Sequence, residues 1–280
     1  MDNISAELGK LAEGLRMSTV EVRVGAGGGT GVIWRDGTVV TNAHVARAEE
    51  AVVVLRDGRR VRSRVTRRDR YRDLALLHVE APNLPAAVIG DSRALRSGEL
   101  VVAVGNPLGL RQAVSAGVVH AVGPLPGLGD YRWVQSGLRL LPGNSGGPLA
   151  DARGRVVGIN SMVSNGLALS APADEVERFL AQPSTGTRLG ITTRPVAVRA
   201  PGGGALGLLI LDVEPGGVAE ASGLRVGDTL LAADGRPFET PADLPYRLSR
   251  RSAGGVLSIE LSRGGKRLTI QARLAGLQAA

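Results

Sequence analysis

Short runs of β-favouring residues, broken at close intervals by turn residues, constrain the fold of this chain more than any other feature. Glycine, proline, aspartate or asparagine separates each run from the next, a pattern typical of an antiparallel all-β barrel or sandwich. Aromatic residues make up only 2% of the chain, so its core must be built from Val, Leu, Ile and Ala. The runs between residues 20 and 122 are VEVRV, GVIW, TVVTNAHV, AVVVL, RVRSRV, LALLHV, LVVAV and AVSAGVVHAV.

Helical spacing and a linker define the remaining organisation. Residues 172–181 predict one helix, and the segment QPSTGT at 182–187 is a linker by composition. A second, amphipathic helix over 4–15 is predicted from apolar residues spaced three and four apart: Ile4, Leu8, Leu11 and Leu15. The sequence therefore predicts an N-terminal amphipathic helix at 1–19, a β-rich domain at 20–182 and a smaller domain at 187–276.

The charge balance leaves two interpretations of the arginine content open. The chain has 34 basic and 26 acidic residues, a formal net charge of +8. Such a bias fits a nucleic-acid partner, and it equally fits a proteome that uses arginine for every solvated cation. We favour the second, because the arginines lack the aromatic companions that single-strand binders use for stacking, and we expect no nucleic-acid partner. The arginine-rich 56–72 segment is then a solvated hairpin, or else a docking patch for an acidic partner.

Other features bound the compartment and the chemistry. The chain has no cysteine, which excludes disulfides and thiolate metal sites. No run approaches eighteen apolar residues, so no membrane span is predicted. The N-terminus, MDNISAELGK, has no apolar signal-peptide core. If Met1 is the natural start, we expect a cytoplasmic protein; if an upstream signal is missing, a periplasmic or secreted one.

A glycine-flanked serine is the strongest local signal of chemistry. In the string PGNSGGPL at 142–149, Gly143 can adopt dihedral angles closed to other residues. The N–H groups of Gly143 and Ser145 can then converge on one point as an oxyanion hole. Gly146 and Gly147 leave room for a substrate strand beside the serine. Ser145 is therefore a candidate nucleophile.

A nucleophilic serine needs a general base, and the chain offers three histidines. His78 and His120 lie within β-runs and are predicted to be exposed strand positions. His44 instead ends the run TVVTNAH, where a strand passes into a turn and a barrel presents side chains to a cleft. A single histidine there is more often structural, but together with Ser145 it becomes the candidate base.

Three motifs in one order carry a family resemblance. TNAHV at 41–45, DLALL at 73–77 and GNSGGPL around Ser145 resemble the signatures of trypsin-like proteases, in the chain order of the chymotrypsin fold. With IGDS, VAVGNPLGL and VVGIN, the chain resembles the HtrA/Deg family of PDZ-bearing serine proteases over nearly its whole length. The resemblance implies a mostly β fold, a chymotrypsin-like double β-barrel protease domain at 20–182 followed by a PDZ domain at 187–276.

The resemblance also implies a mechanism without metal or cofactor. Ser145 attacks the scissile carbonyl, His44 takes and returns the proton, and Asp73 orients the imidazole. The oxyanion is bound by backbone N–H groups of the loop: Gly143, Asn144 and Ser145. Arg72 points away from this triad if its segment is extended.

Two departures from the family pattern bear on specificity and regulation. Arg139 lies where trypsin-like enzymes place the base of the S1 pocket. It either makes the pocket accept acidic residues or faces solvent; we favour solvent, because burying an unpaired guanidinium is costly. We expect cleavage after small or medium aliphatic residues. The connection from His120 to Trp133 is shorter than the family's regulatory loop.

The second domain resembles a PDZ domain in two strings. Arg188 and the tripeptide Leu189, Gly190 and Ile191 match the turn that captures a peptide carboxylate, and ASGLRVGDTLL at 221–231 matches the PDZ core. The peptide is expected to add as a strand beside Ile191–Thr193, against a helix that begins at 240–243. In that helix Thr240 and Asp243 predict a capping box, with Pro241 at its first position and Pro245 disrupting its fifth.

The leading hypothesis is a serine endopeptidase that cleaves unfolded or misfolded proteins, with peptide C-termini as PDZ ligands. The alternative is a proteolytically silent PDZ adaptor or holdase chaperone. Family members commonly form trimers through N-terminal segments, so we expect a homotrimer held by the helix at 4–15 and the strand from Val20; the same helix face can instead fold back on its own barrel.

Overall fold

A computed structural model describes residues 2–125, 128, 131–181, 189–200, 203–252 and 254–274. They form two compact units: Met1–Gly123 with Arg132–Ala181, and Pro124–Tyr131 with Gln182–Ala280. The predicted linker at 182–187 and Arg188 lie outside the described residues.

The first barrel is a closed antiparallel sheet of six strands. They are β1 (Thr19–Val24), β2 (Gly27–Arg35), β3 (Thr38–Thr41), β4 (Glu50–Val54), β5 (Arg60–Asp69) and β6 (Leu74–Val79). Their order around the barrel is β1-β2-β3-β6-β5-β4, and the pairing of Glu21 with Val54 closes it. Valine dominates the interior, since β-branched side chains pack well on a pleated surface: the core includes Val20, Val22, Val39, Val53 and Val79.

The second barrel is built in the same way. Its strands are β7 (Leu100–Gly105), β8 (Ala113–Pro124), β9 (Arg132–Ser136), β10 (Pro148–Asp151), β11 (Val156–Ser164) and β12 (Leu167–Pro172), in the order β10-β11-β12-β9-β8-β7. The pairing of Leu149 with Ala103 closes it. The core contains Val101, Val119, Val134, Leu149 and Val157. The predicted mostly β, double-barrel fold is therefore confirmed.

Two helices pack against the barrels. Helix α1 (Asp2–Ser18) extends beyond the apolar series at 4–15, falls within the segment 1–19 for which a helix is predicted, and contacts β1, β2 and β7. Leu15 is buried against the protein's own barrel. The helix ends where the hydroxyl of Thr19 donates to the Leu15 carbonyl at 2.8 Å, satisfying a group of the last turn. Helix α2 (Ala173–Ala181) follows β12 directly and buries Val176 and Phe179.

A buried ion cluster ties α2 to the segment before β6. Arg72 and Glu175 are both 0% exposed, and the Arg72 Nε donates to a Glu175 carboxylate oxygen at 3.2 Å. The same guanidinium bonds Asp69, and Arg178 bonds the other oxygen of Glu175. Arg72 thus faces α2 rather than solvent, in a network that fixes the residue directly before Asp73.

Replacing Arg72 with methionine should destabilise this unit by about 3–5 kcal/mol, because it removes the buried cation that bonds both Glu175 and Asp69. The matched control is Arg35→Met. Arg35 is 62% exposed and pairs with Glu177, which lies on α2 as Glu175 does, so its loss should lower the free energy of unfolding by about 1 kcal/mol or less. Both tryptophans of the chain, Trp34 and Trp133, belong to this unit, so urea unfolding followed by tryptophan fluorescence measures it alone. Equal losses in the two variants would contradict the assignment.

The described residues of the second unit form a sheet of six strands and two helices. Its elements are β13 (Ile191–Ala200), β14 (Gly203–Val213), α3 (Val218–Ala221), β15 (Thr229–Ala233), β16 (Arg236–Pro237), α4 (Asp243–Ser249), β17 (Val256–Arg263) and β18 (Lys266–Arg273). The strand order is β13-β14-β15-β17-β18, and β16 pairs with β15. The core includes Leu208, Leu230, Leu244, Leu257 and Leu261.

The aspartate of the predicted core string, Asp228, anchors the second unit. It is buried, and the Arg263 guanidinium donates to its two oxygens at 2.7 Å each. Burial acts to raise the pKa of this carboxyl, but the bonds from Arg263 and from the Arg225 N–H outweigh it and hold the pKa below its usual value. The pair therefore stabilises the unit at neutral pH, and the contribution is lost as the pH falls through the lowered pKa.

The predicted start of the second unit's main helix is wrong. Helix α4 begins at Asp243, not near Thr240, so Pro241 lies before the helix rather than at its first position. Pro245 consequently falls in the first turn, where backbone N–H groups have no helical partner and proline fits without disruption. Thr240 does bond Asp243, its hydroxyl donating to Oδ1 at 2.8 Å.

Candidate active site

Barrel topology brings His44 and Asp73 together. Strands β3 and β6 are antiparallel, with Thr41 opposite Ala75, so the residues after β3 meet those before β6. His44 Nδ1 lies 2.7 Å from Asp73 Oδ2, and the His44 backbone N–H donates to Oδ1 at 3.0 Å. Asp73 adopts the left-handed conformation (φ 52°), and the buried side chain of Asn42 donates to its carbonyl at 2.8 Å. With Nδ1 bonded to the carboxylate, Nε2 is the nitrogen left for a substrate-side proton.

Ser161 is a site residue that the sequence reasoning missed. Its buried hydroxyl donates to Asp73 Oδ2, the oxygen that also faces His44. The register between β11 and β12 shifts between Asn160 and Met162, so Ser161 stands at a bulge, which re-aims a side chain relative to the regular strand. The motif VVGIN at 156–160 ends one residue before Ser161. A serine directly after this motif was the feature of the sequence that could have indicated the residue.

Ser145, the candidate nucleophile, also contacts Ser161. Ser145 lies in the loop between β9 and β10, and its hydroxyl donates to the Ser161 carbonyl at 2.9 Å. Among the residues that the structure describes, no hydrogen bond joins the side chains of Ser145 and His44. Ser161 therefore bridges the His44–Asp73 pair and Ser145, and bringing the Ser145 hydroxyl to His44 requires a rotation of the Ser145 side chain.

The backbone around Ser145 leaves two donors open. The Asn144 N–H donates to the Leu141 carbonyl at 3.0 Å, and the N–H groups of Gly146 and Gly147 are bonded to Asn160 and Asn144. Within the described ranges, the N–H groups of Gly143 and Ser145 make no backbone hydrogen bond. Of the three predicted oxyanion donors, the Asn144 N–H is thus already bonded within its own turn, and the N–H groups of Gly143 and Ser145 are available.

Glycine is required at two positions of this loop. Gly143 has φ 104°, and a Cβ there would lie 2.4 Å from the Asn106 carbonyl oxygen. Gly146 has φ 86°, and its Cβ would lie 2.0 Å from the Thr30 carbonyl oxygen. Both values are far below any normal contact, so a side chain at either position forces the loop to move.

The other candidate residues of the barrel unit are exposed. Arg139 is exposed, and its backbone N–H donates to Ser115 Oγ at 3.2 Å. The side chains of His78 and His120 are also exposed, on β6 and β8. Met162 and Val163 follow Ser161 on β11 and are 37% and 52% exposed.

The candidate peptide-binding turn is set by two carbonyl bonds. Leu189 is buried, and its carbonyl accepts from the Ala219 N–H at 2.8 Å. The Gly190 carbonyl accepts from the Glu214 N–H, also at 2.8 Å, and Gly190 has φ 75°. Ile191 begins β13 immediately afterwards. A Cβ on Gly190 would lie 2.7 Å from a carboxylate oxygen of Glu214, so a negative charge lies beside the turn.

Comparisons with known proteins agree along the chain. Residues 29–159 match the family model of the trypsin-like peptidase domain, and residues 187–274 match that of the PDZ domain. The putative serine protease HhoA of Synechocystis is 34% identical over 90% of this chain and 72% of its own length. A probable periplasmic DegP-like serine endoprotease of Halomonas elongata is 34% identical over 84% of this chain.

Solved structures give the same result. The HtrA-type protease AlgW, solved with a decapeptide, is 25% identical with a TM-score of 0.70, over 97% of this chain and 99% of that one. A serine endoprotease from Yersinia pestis is 27% identical with a TM-score of 0.68, over 96% of this chain and 98% of that one. The chain spans about half the length of the DegP-like relatives, 53% in the case of Halomonas.

Proposed function

The chain belongs to the HtrA family of trypsin-like serine proteases with a PDZ domain, and on that premise we propose that it is a serine endopeptidase that cleaves unfolded or misfolded proteins. One observation carries the proposal: His44, Asp73 and Ser145 meet around Ser161, next to two open backbone donors. Few reactions other than acyl transfer use a serine, an oriented imidazole and a pair of backbone N–H donors together.

The reaction divides the work among these groups. Ser145 turns from the Ser161 carbonyl to His44 Nε2, gives up its proton and attacks the scissile carbonyl. Asp73 keeps the imidazole in the tautomer that can accept this proton and stabilises the imidazolium. The N–H groups of Gly143 and Ser145 bind the oxyanion. His44 then protonates the leaving amine, and water hydrolyses the acyl enzyme by the reverse path.

We propose that the protease cleaves after apolar residues of its substrates. The exposed position of Arg139 supports a solvent-facing guanidinium, and the apolar pair Met162 and Val163 supports small or medium aliphatic residues on the acyl side of the cleaved bond.

A direct test compares one protein in two states. A substrate held unfolded by reduction and alkylation of its disulfides should be cut, and the same protein with intact disulfides should resist. The chain itself has no cysteine, so the chemistry used on the substrate leaves it unchanged. Absence of cleavage in both states would reject the proposal.

A second candidate function, a silent PDZ adaptor or holdase, has one observation in its favour: the Ser145 hydroxyl is bonded to Ser161 instead of His44. In that case the chain suppresses aggregation of the unfolded substrate without cutting it, and Ser145→Ala suppresses it equally.

The second unit is proposed to bind free peptide C-termini through Leu189, Gly190 and Ile191. A peptide with an apolar last residue should bind, and amidation of its C-terminus should weaken binding by about tenfold or more, because the turn's N–H groups lose a charged acceptor. Calorimetric titration of both peptides measures this. Equal affinity for acid and amide would contradict carboxylate capture.

Location and assembly are further proposals. The described helices include none long and apolar enough to cross a membrane. The DegP-like relatives are named periplasmic, which supports the periplasmic alternative over the cytoplasmic expectation. A homotrimer is supported by an open apolar groove of about 710 Å³ that Leu8 and Leu11 line together with the exposed Val88 and Leu100.

A further inference from the structure

A continuous series of hydrogen bonds runs from helix α1 to the loop that carries the candidate oxyanion donors. All of its members belong to the first compact unit. They are Arg16 on α1, Gln112 and Asn106 between β7 and β8, Thr30 on β2, and Gly143.

Thr30 is the junction at the oxyanion end. It is fully buried, and its hydroxyl donates to the Gly143 carbonyl at 2.6 Å. The same oxygen accepts from the Asn106 backbone N–H at 2.9 Å and from its side-chain amide at 3.2 Å, which uses the full bonding capacity of a hydroxyl. The Thr30 backbone N–H also donates to the Ser145 carbonyl at 2.8 Å. One residue therefore holds the carbonyls on both sides of Asn144.

The neighbouring peptide is fixed from the same side. The Leu108 N–H donates to the Pro142 carbonyl at 3.1 Å. In a planar trans peptide the C=O and N–H point in opposite directions, so this bond turns the Gly143 N–H away from Leu108. With the Gly143 carbonyl held by Thr30, both ends of the glycine are fixed while its N–H stays open.

The far end of the series is a reciprocal pair between Arg16 on α1 and Gln112. The Arg16 Nε donates to the Gln112 carbonyl, and the Gln112 side-chain amide donates to the Arg16 carbonyl, each at 3.1 Å. The Gln112 backbone N–H then donates to Asn106 Oδ1 at 3.1 Å. Gln112 has φ 55°, a left-handed conformation that these three bonds stabilise.

We infer that Arg16, Gln112, Asn106 and Thr30 are positioning residues for the oxyanion hole, and that the docking of α1 sets the orientation of the Gly143 N–H through them. The inference rests on the proposed serine-protease function. It assigns α1 a role within its own chain, separate from any role in assembly.

The kinetic test uses two matched pairs on a small ester substrate. Thr30→Val removes the hydroxyl at nearly constant volume and should lower kcat by about 10- to 100-fold, with KM changed by less than about twofold, because only the transition state uses the oxyanion donors. Thr30→Ser keeps the hydroxyl and should retain activity. The inference is contradicted if Thr30→Val changes only KM, or if it keeps the full activity of the wild type.

The second pair tests the distant end. Arg16→Met removes the guanidinium bond to the Gln112 carbonyl and should lower kcat by about threefold or more, the range expected for coupling through a contact network. Lys10→Met removes another cation of α1 and should leave kcat unchanged. Lys10 pairs with Glu7 at the same i,i+3 spacing by which Arg16 pairs with Glu13. Equal kcat in the two variants overturns the role assigned to α1.

Amide hydrogen exchange separates failure of this inference from failure of the proposed function. The bonded amides of Asn144, Gly146 and Gly147 should exchange faster in Arg16→Met than in Lys10→Met, whether or not the protein cuts substrates. If wild-type protein is inactive, the proposed function fails while the exchange result still decides the coupling. Identical exchange over residues 141–149 in both variants overturns it.

Discussion

Replacing Ser145 with alanine is expected to reduce kcat on an unfolded casein-type substrate by about 10⁶-fold, to the level of the oxyanion site and binding alone. His44→Ala should cost about as much, since serine and histidine act as a unit and neither retains its function without the other. The reason lies in the geometry: Asp73 orients His44, and Ser161 holds Ser145 beside them.

Purified variants assayed by the release of acid-soluble peptides give the comparison. His78→Ala is the matched control, because His78 is exposed on β6 and lies outside the site. It should cleave like the wild type. Undiminished cleavage by Ser145→Ala would remove the nucleophile assignment.

Substitution of Gly143 by alanine is expected to lower kcat by about 10²- to 10³-fold, the usual effect of losing one oxyanion donor. A Cβ at this position would meet the Asn106 carbonyl at 2.4 Å, so the loop must shift and the N–H leaves its place. KM should change little, because the donor acts mainly in the transition state.

Gly58→Ala is the control for backbone strain alone. Gly58 also has a positive φ, 87°, but nothing lies within 4 Å of a Cβ built there. It should lose a little stability and no activity. If Gly58→Ala and Gly143→Ala lower kcat equally, strain rather than displacement of the donor explains the effect.

The sequence predicted the residues whose chemical role few other residue types can fill, Ser145 and His44. A serine between glycines and a histidine at the end of a β-run can be recognised one at a time, and the resemblance of their motifs to those of trypsin-like proteases predicts the double barrel. The role of Ser161 depends on a bulge in β11, and a register shift of one residue leaves no mark in the sequence.

Two other features needed the folded structure for a different reason. Arg72 is fully buried because Glu175, about a hundred residues later, arrives beside it on α2. The start of α4 depends on the Asp243 side chain bonding Thr240 and Glu239 ahead of the helix, which places Pro245 in the first turn. Local propensity carries no information about either long-range packing or the choice between competing helix starts.

Covalent labelling by a fluorophosphonate tests the central claim most directly. The reagent reacts with a serine only when a base removes its proton and an oxyanion site stabilises the addition, so it requires the assembled site and no knowledge of the substrate. We expect one adduct per chain, located at Ser145 by tandem mass spectrometry, and none in Ser145→Ala or His44→Ala. An unlabelled wild-type protein, or an adduct on another serine, would contradict the account.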